Sequence, residues 1–361
     1  MTILFLTRLF YPHIGGVEKH VLEVSKILVK KGHSVTVLTE KFERGLLDTD
    51  EIDGIKILRI GNGKNNWSFG KLRINLKKFR VWGNLWKNIN LIKEADIIHV
   101  HDVFFWYLPF RFIYPGKPVY TTFHGYEGNK IPGFKSKLMH KIAEKLSKGN
   151  ICVGDFLKKW YGTKPDYVTY GGVGILPINT NTTNKYQLAN KRVKILFLGR
   201  LEEETGIMEY LKVLKELQRK KYKFEITILG DGSLRRKAEN FSRVNKINAE
   251  FKGFVEKIES YLYKTDFILT SRYLGILEAL SYKKLVFAHY NNLIKKDYLE
   301  MAPFAKYISI SKDISELSNQ IGYYLRNGKK RNQMVDQGFS WVKNQTWENL
   351  INLYIDLWKK E

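Results

Sequence analysis

Apolar positions along the chain gather into strand-length runs separated by stretches of helical period, and this alternation occurs twice. The first run, 3–7, is followed by the turn-rich Tyr11-Pro12-His13-Ile14-Gly15-Gly16. Val17, Val21, Val24 and Leu28 then recur at a spacing that predicts a helix stopping at Lys31 and Gly32, and 34–38 reads as the next strand. Strand, glycine turn, helix and strand make the opening unit of a Rossmann-like sheet, in which Gly15 and Gly16 let a ligand approach the backbone. The pattern begins again at 194–198, ends in Gly199 and Arg200, and continues with a helix over 206–220 and a strand at 225–229. Two further apolar runs, 266–270 and 285–288, flank a loop ending in Gly275 and a helix carrying Glu278 in its first turn. Residues 176–185 are poor in large apolar side chains and rich in turn formers, which predicts a linker between domains at 1–175 and 190–344.

The predicted turns place candidate chemistry at strand ends. A helix entered through glycine offers unpaired amides and a partial positive charge, so the backbone of Gly275, Ile276 and Leu277 suits a phosphate. Glu278 is an acceptor for the two hydroxyls of a ribose, or else a counter to the helix dipole. Arg200 ends a strand, and its planar fork suits a diphosphate, although alone it reads equally as a surface residue. Two more strands, 96–102 and 119–125, put His101, Asp102 and His124 at their carboxyl ends, where open α/β sheets bind ligands. His99 and His101 share a strand face, so a metal site with His124 is one reading. No cysteine or carboxylate cluster completes it, and for His99 a buried, hydrogen-bonded imidazole is the alternative. Asp48 and Asp50 form a D-x-D pair, but they fall in an acidic turn before an edge-like strand at 55–60 and read as a solvated loop. There is no GxGxxG, which argues against a nicotinamide cofactor.

Length and charge narrow the partners. The 361 residues suit two domains, and a net charge of +25 calls for something anionic. Nucleic acid, an anionic membrane and phosphorylated ligands all qualify. The chain has no recognisable nucleic-acid module, and its aromatic residues follow core periodicity, which sets nucleic acid aside. Cys152 is the single cysteine, consistent with a reducing compartment. The apolar start is interrupted by Arg8 and reads as a strand rather than a leader, and no apolar run approaches the roughly 20 residues that span a bilayer. Residues 71–93 carry seven lysines and arginines and no acidic residue, interleaved with Phe79, Trp82 and Trp86. That is the composition of a helix lying on anionic lipid, or of an amphipathic helix packed on the sheet with a solvated basic face. A second basic run at 135–148 favours the membrane.

Pro12-His13-Ile14-Gly15-Gly16-Val17-Glu18, Thr122-Phe123-His124-Gly125, Gly199-Arg200-Leu201, Leu229-Gly230-Asp231-Gly232, Phe251-Lys252-Gly253-Phe254-Val255 and Leu277-Glu278-Ala279-Leu280 occur in the order seen in one family. Together they resemble the retaining GT-B glycosyltransferases of family 4. The resemblance implies an α/β fold of two facing Rossmann-like domains with parallel sheets and an interdomain cleft, and a final helix within 345–361 that packs back on the first domain. It implies a UDP- or GDP-linked sugar as substrate, no cofactor and no required metal. Position by position, Arg200 matches the family's diphosphate-gripping arginine, Glu278 the ribose carboxylate, His124 the histidine near the transferred sugar, and Gly16 the glycine near the donor phosphates. Tyr11, His101 and Asp102 would face the acceptor, a lipid-linked or other glycan, at the cytoplasmic face of a membrane.

Two departures stand out. The family usually has a lysine where this chain has Thr205, and a glutamate touching the transferred sugar where it has Thr270. Arg272, in a shortened loop, is a candidate to restore the lost charge. A catalytically weakened nucleotide-sugar-binding partner of another transferase is the alternative reading.

Overall fold

The computed structural model describes residues 1–61, 77–125, 131–175 and 192–360. The expected linker at 176–185 and the start of the basic stretch, 71–76, lie outside the described residues. The chain divides into two compact units, one formed by Met1–Tyr126, Pro132–Thr169 and Trp347–Glu361, the other by Glu127–Ile131 and Tyr170–Thr346.

The first unit runs β1 (Thr2–Thr7), α1 (Gly16–Lys30), β2 (Ser34–Lys41), β3 (Thr49–Ile52), β4 (Ile55–Gly61), α2 (Lys77–Lys87), α3 (Ile89–Glu94), β5 (Ile97–His101), α4 (Phe104–Ile113), β6 (Val119–Phe123), α5 (Phe134–Leu146), β7 (Gly149–Val153), α6 (Phe156–Tyr161) and β8 (Tyr167–Thr169). Its sheet has the order β3-β4-β2-β1-β5-β6-β7-β8, parallel except for the β3–β4 pair. Ile3, Leu4, Phe5 and Leu6 are all buried. Such a continuous apolar run is what a parallel strand covered on both faces requires. Val21, Val24 and Leu28 form the buried stripe of α1, and His20 and Ser25 sit in the same stripe.

Two expectations are corrected here. The acidic segment at 48–53 is not a free turn: β3 adds an antiparallel edge, so β4 lies inside the sheet. Arg59 is the cause. Its buried guanidinium donates from Nη1 to Asp50 Oδ2 at 3.0 Å and to the Leu47 carbonyl at 3.1 Å, drawing the acidic strand in. The basic stretch is also not one helix. Asn88 Nδ2 donates to the Asn84 carbonyl at 2.9 Å, and the chain restarts as α3 at Ile89.

The second unit runs β9 (Val193–Leu198), α7 (Ile207–Arg219), β10 (Phe224–Leu229), α8 (Arg235–Val244), β11 (Ala249–Gly253), α9 (Glu259–Lys264), β12 (Phe267–Leu269), α10 (Tyr273–Ser281), β13 (Leu285–His289), α11 (Leu293–Glu300), β14 (Ser309–Ser311), α12 (Ile314–Arg326) and α13 (Gly328–Val342). Its all-parallel sheet has the order β11-β10-β9-β12-β13-β14. Leu211, Leu214, Phe197, Ile228, Phe267, Phe287, Leu317 and Ile321 fill its core. Burial of each contributes roughly 1.5–3 kcal/mol against exposure. Gly230 has φ 138°, and a Cβ there would lie 1.9 Å from the Gly199 carbonyl oxygen, so the ends of β9 and β10 can meet only over glycine.

The last helix, α14 (Trp347–Lys359), belongs to the first unit. It packs on α1 and β7 with Ile351, Tyr354 and Leu357 fully buried.

Candidate active site

In an open α/β sheet the ligand crevice opens where strand order reverses, outside the carboxyl ends of the two central strands. In the second unit those strands are β9 and β12. Arg200 follows β9 and Arg272 follows β12. Their guanidinium groups meet on one atom: Arg200 Nη2 lies 2.7 Å and Arg272 Nη2 3.1 Å from Glu204 Oε1. Glu204 sits in a short 3-10 turn, Glu203–Thr205. The turn is tied by Thr205, whose Oγ1 lies 2.6 Å from the Arg200 carbonyl and 2.8 Å from that of Glu202. Thr205 is buried and engaged with backbone, so no side-chain cation comes from this position. Thr270 is buried too, its hydroxyl donating to the Leu198 carbonyl at 2.8 Å.

The helix after β12 begins earlier than its sequence suggested. α10 starts at Tyr273 with Arg272 as its N-cap, so Arg272 ends the loop and Glu278 lies in the second turn. The polar loop is only Thr270, Ser271 and Arg272, and Tyr273 and Ile276 are apolar enough to be pulled under the sheet, both buried. This changes which amides are available. The Ile276 amide already donates to the Arg272 carbonyl at 2.9 Å, and Leu277, one residue on, has the Tyr273 carbonyl as its helical acceptor. The Tyr273 amide donates to Tyr298 Oη at 3.0 Å. By helix geometry, Leu274 and Gly275 are the first-turn amides without an intrahelical acceptor. The side chains of Ile276 and Leu277 are core. Gly275 is needed for packing, since a Cβ there would lie 2.8 Å from Thr270 Oγ1.

Sequence reasoning missed three groups that hold this corner together. Lys295, on α11, is 1% exposed and donates from Nζ to the Ser271 carbonyl at 2.5 Å, with the ammonium 4.5 Å from the centre of the Tyr298 ring. Burial drives its pKa well below the ordinary lysine value; Arg272 pushes the same way, and Glu204 opposes. Tyr298 stacks on Tyr273 with ring centres 3.9 Å apart. Glu204 is the third. An opposite-charge pair at i,i+4, Arg200 and Glu204, was the one signal in the sequence; Lys295 left none.

The first unit has its own reversal of order, between β1 and β5. His101 ends β5, and Asp102 follows with φ 59°, its Oδ1 accepting from the His124 amide at 2.8 Å. His124 follows β6, and its Nε2 lies 3.1 Å from His101 Nδ1. His20, one turn along the core face of α1, lies edge-on to His124 at 4.9 Å between ring centres. Both nitrogens of His99 are engaged. Trp358 Nε1 donates to its Nδ1 at 3.0 Å, and its Nε2 lies 2.7 Å from Thr122 Oγ1. Because indole only donates, His99 Nδ1 is the acceptor and its proton is on Nε2. The direction that uses every hydroxyl proton then continues from Thr122 Oγ1 to Tyr354 Oη at 2.9 Å, and from Tyr354 to His20 Nε2 at 2.9 Å.

These imidazoles are neutral. Burial takes His20 down to about 3, and burial with the neighbouring rings takes His99, His101 and His124 well below the ordinary histidine value. Among the described residues no group of three or more His, Cys, Asp or Glu is arranged to hold a metal ion. His20 and Tyr354 were not singled out from sequence, although a histidine in the apolar stripe of α1 was a legible sign.

Tyr11 lies in the loop after β1, and Gly16 where that loop passes into α1. Arg59 Nη2 donates to the Tyr11 carbonyl at 3.1 Å, fixing that loop from below. Gly16 opens α1 and faces outward, and a Cβ placed there would meet nothing within 4 Å. Elsewhere in this unit Trp82 packs on α4, its Nε1 donating to the Phe105 carbonyl at 3.0 Å, while Trp86 is exposed. Phe112 and Ile113 on α4 are exposed as well, as are Phe134 and Leu138 on α5, a helix that also carries Lys135, Lys137 and Lys145.

Residues 14–166 match the family model described as Glycosyltransferase Family 4, and residues 179–341 match Glycosyl transferases group 1. A glycogen synthase of Mycobacterium tuberculosis is 23% identical over 258 residues, which take in 61% of this chain and 59% of that protein. The chain therefore matches about three fifths of that curated relative's length. The structure of a glycosyltransferase from Rickettsia africae ESF-5 is 20% identical and covers 99% of this chain and 97% of its own, with a TM-score of 0.71. A mutant TarM from S. aureus in complex with Fondaparinux, alpha-GlcNAc-glycerol and UDP is 12% identical, covers 99% and 100%, and has a TM-score of 0.73. At these identities the structural likenesses speak for the fold, two α/β units with parallel sheets.

Proposed function

The chain belongs to glycosyltransferase family 4, and from that premise we propose that it moves a sugar from a UDP- or GDP-linked donor to an acceptor hydroxyl with retention of anomeric configuration. The observation that carries this reading is the convergence of Arg200 and Arg272 at the strand reversal of the second unit. The donor diphosphate binds at that focus, beside the amides of Leu274 and Gly275, and Glu278 accepts the ribose hydroxyls. The bond from the anomeric carbon to the β-phosphate oxygen breaks, the acceptor oxygen bonds to the same carbon, and its proton passes to the leaving phosphate. Two guanidiniums and a helix terminus meet the developing charge already oriented, which water cannot do. His124 stays neutral and contributes hydrogen bonds near the transferred sugar, with Tyr11, His101 and Asp102 on the acceptor side. The nucleotide sugar is a substrate, and the step uses no cofactor and no metal.

The acceptor is a lipid-linked glycan, a polysaccharide intermediate or a glycolipid, reached from the cytoplasmic face of an anionic membrane. Support comes from Trp86 on α2, Phe112 on α4 and Phe134 on α5, apolar rings that are exposed next in sequence to Lys87, Arg111 and Lys135. The proposed attachment is peripheral; no helix among the described residues is long and apolar enough to cross a bilayer.

A second reading, a catalytically weakened partner that binds nucleotide sugar for another transferase, is favoured by one observation. Thr205 and Thr270 stand where the family has a lysine and a glutamate, and both are buried on backbone carbonyls. One experiment tests both readings. Purified chain is screened by thermal shift against nucleoside diphosphates and their sugars, where a ligand at a hundred times its Kd adds about 2.7 kcal/mol. Hits are then assayed for transfer and donor hydrolysis. A shift with turnover supports the transferase, and a shift without it the partner. No shift with any of them removes the donor site.

A further inference from the structure

Glu204 occupies the point where the proposed donor phosphates would sit. Its side chain is only 17% exposed, and the turn that carries it is closed by the Thr205 hydroxyl, so its carboxylate is held in position rather than trailing in solvent. Arg200 and Arg272 both donate to a single oxygen of it, which is how two arginines share one oxygen of a phosphate. The surrounding charge is unbalanced in favour of an anion. Two guanidiniums stand around this one carboxylate. A diphosphate, with several oxygens and more charge, can satisfy both forks more fully than one carboxylate oxygen. It cannot do so while Glu204 is there, because like charges at that distance repel.

We propose that Glu204 is a built-in competitor for the diphosphate subsite: it keeps Arg200 and Arg272 paired in the empty site, swings aside when a nucleoside diphosphate binds, and returns to help expel the nucleoside diphosphate product. The inference rests on the donor-site reading above and adds a regulating residue to it. Its consequence runs opposite to that of the arginines. Removing a cation weakens binding, whereas removing the negative charge of Glu204 strengthens it. The alternative role is organiser, in which Glu204 stiffens the arginines and its loss weakens binding.

The test measures affinity for UDP, GDP and inorganic pyrophosphate by calorimetric titration of the full chain, in wild type, E204Q, E204A and R200A. Loss of one competing charge-assisted contact predicts about tenfold tighter binding of the better nucleotide to both Glu204 variants. Stronger inhibition of turnover by the nucleoside diphosphate product is expected with it. E204A removes the acceptor altogether, so the outcome does not depend on how glutamine packs. A gain for the nucleotides with none for pyrophosphate places the competition on the nucleotide-bound diphosphate; a gain for all three places it on the phosphates alone, and either supports the proposal. Equal or weaker nucleotide binding in both variants, with binding still lost in R200A, overturns the competitor role and leaves the donor site standing. If neither nucleotide binds wild type or either Glu204 variant, the donor site and this inference fall together.

Discussion

Arg200 and Arg272 come from different strands and donate to the same carboxylate oxygen, at 2.7 and 3.1 Å from Glu204 Oε1. Two cations fixed on one point act on a ligand as a unit. We expect Arg200→Ala to lower kcat/KM for sugar transfer by about a hundredfold or more, the scale of a lost transition-state donor. Arg272→Ala should weaken binding of the nucleoside diphosphate in the same direction. Because the two share a partner, the double variant should lose less than the sum of the singles. Unchanged nucleotide affinity in Arg272→Ala would take Arg272 out of the site.

Lys295 makes a prediction about pH. Its folded-state pKa is far below that of a lysine in the unfolded chain, so between those values the unfolded chain holds the proton that the folded chain has given up. Stability from this group is therefore present at high pH and is lost as pH falls from about 10.4 toward the folded value, by up to about 1.4 kcal/mol per unit. Lys295→Met removes the effect. Urea midpoints at pH 7, 8.5 and 10 should rise with pH more steeply in wild type than in the variant, and parallel curves would show that Lys295 titrates normally.

The histidines of the first unit behave in the same sense at lower pH. His20 is pushed down to about 3 by burial, below its unfolded value near 6.5. The unfolded chain takes up a proton first, so stability is full above about 6.5 and falls as pH drops toward the folded value, by up to about 1.4 kcal/mol per unit for each such histidine. His99, His101 and His124 shift in the same direction. Calorimetric scans between pH 7.5 and 5 should show a steep loss of Tm on acidification, and a flat profile would mean that these rings are protonated in place.

Tyr354 is the last link before His20 in the chain of hydrogen bonds that starts at Trp358. Tyr354→Phe keeps the ring and deletes the hydroxyl, leaving His20 Nε2 and the Thr122 hydroxyl without their shared partner. The expected cost is about 1–3 kcal/mol, read as a fall in the denaturant midpoint at unchanged m-value. A loss confined to a few tenths would mean that water replaces the hydroxyl.

How much of this could be read from the chain follows from what kind of force decides each feature. The parallel sheets were legible because runs such as Ile3 to Leu6 are apolar at every position, which only a strand buried on both faces tolerates. Arg200, Asp102 and His124 could be placed at strand ends because the turn follows directly in sequence. The start of α10 could not. Gly275 looks like a helix entry, but Tyr273 is held by Tyr298 from a later helix, and that contact moves the first turn back by three residues. The same holds for β3, which pairs with β4 because Arg59 reaches across to Asp50. Lys295 was invisible for the same reason, since its partner Ser271 is distant in sequence, and of Glu204's two partners only Arg200, four residues before it, could be read from the chain.

The exposed rings of the first unit give the last prediction. Phe134 is 82% exposed at the first turn of α5, beside Lys135 and Lys137, and Leu138 lies one turn on. An aromatic side chain left in water gains roughly 1.5–3 kcal/mol on burial, and each basic residue near an anionic surface adds about 1 kcal/mol. Together these favour a lipid surface over nucleic acid, which would reward the charges but leave the rings in water. Wild type should be retained on vesicles containing phosphatidylglycerol and not on neutral ones. Phe134→Asp exchanges the ring for a negative charge at the same place and should lower retention by about tenfold or more, with the same thermal midpoint. Equal retention of wild type and variant, or retention on DNA at the same salt, would assign the basic surface to another partner.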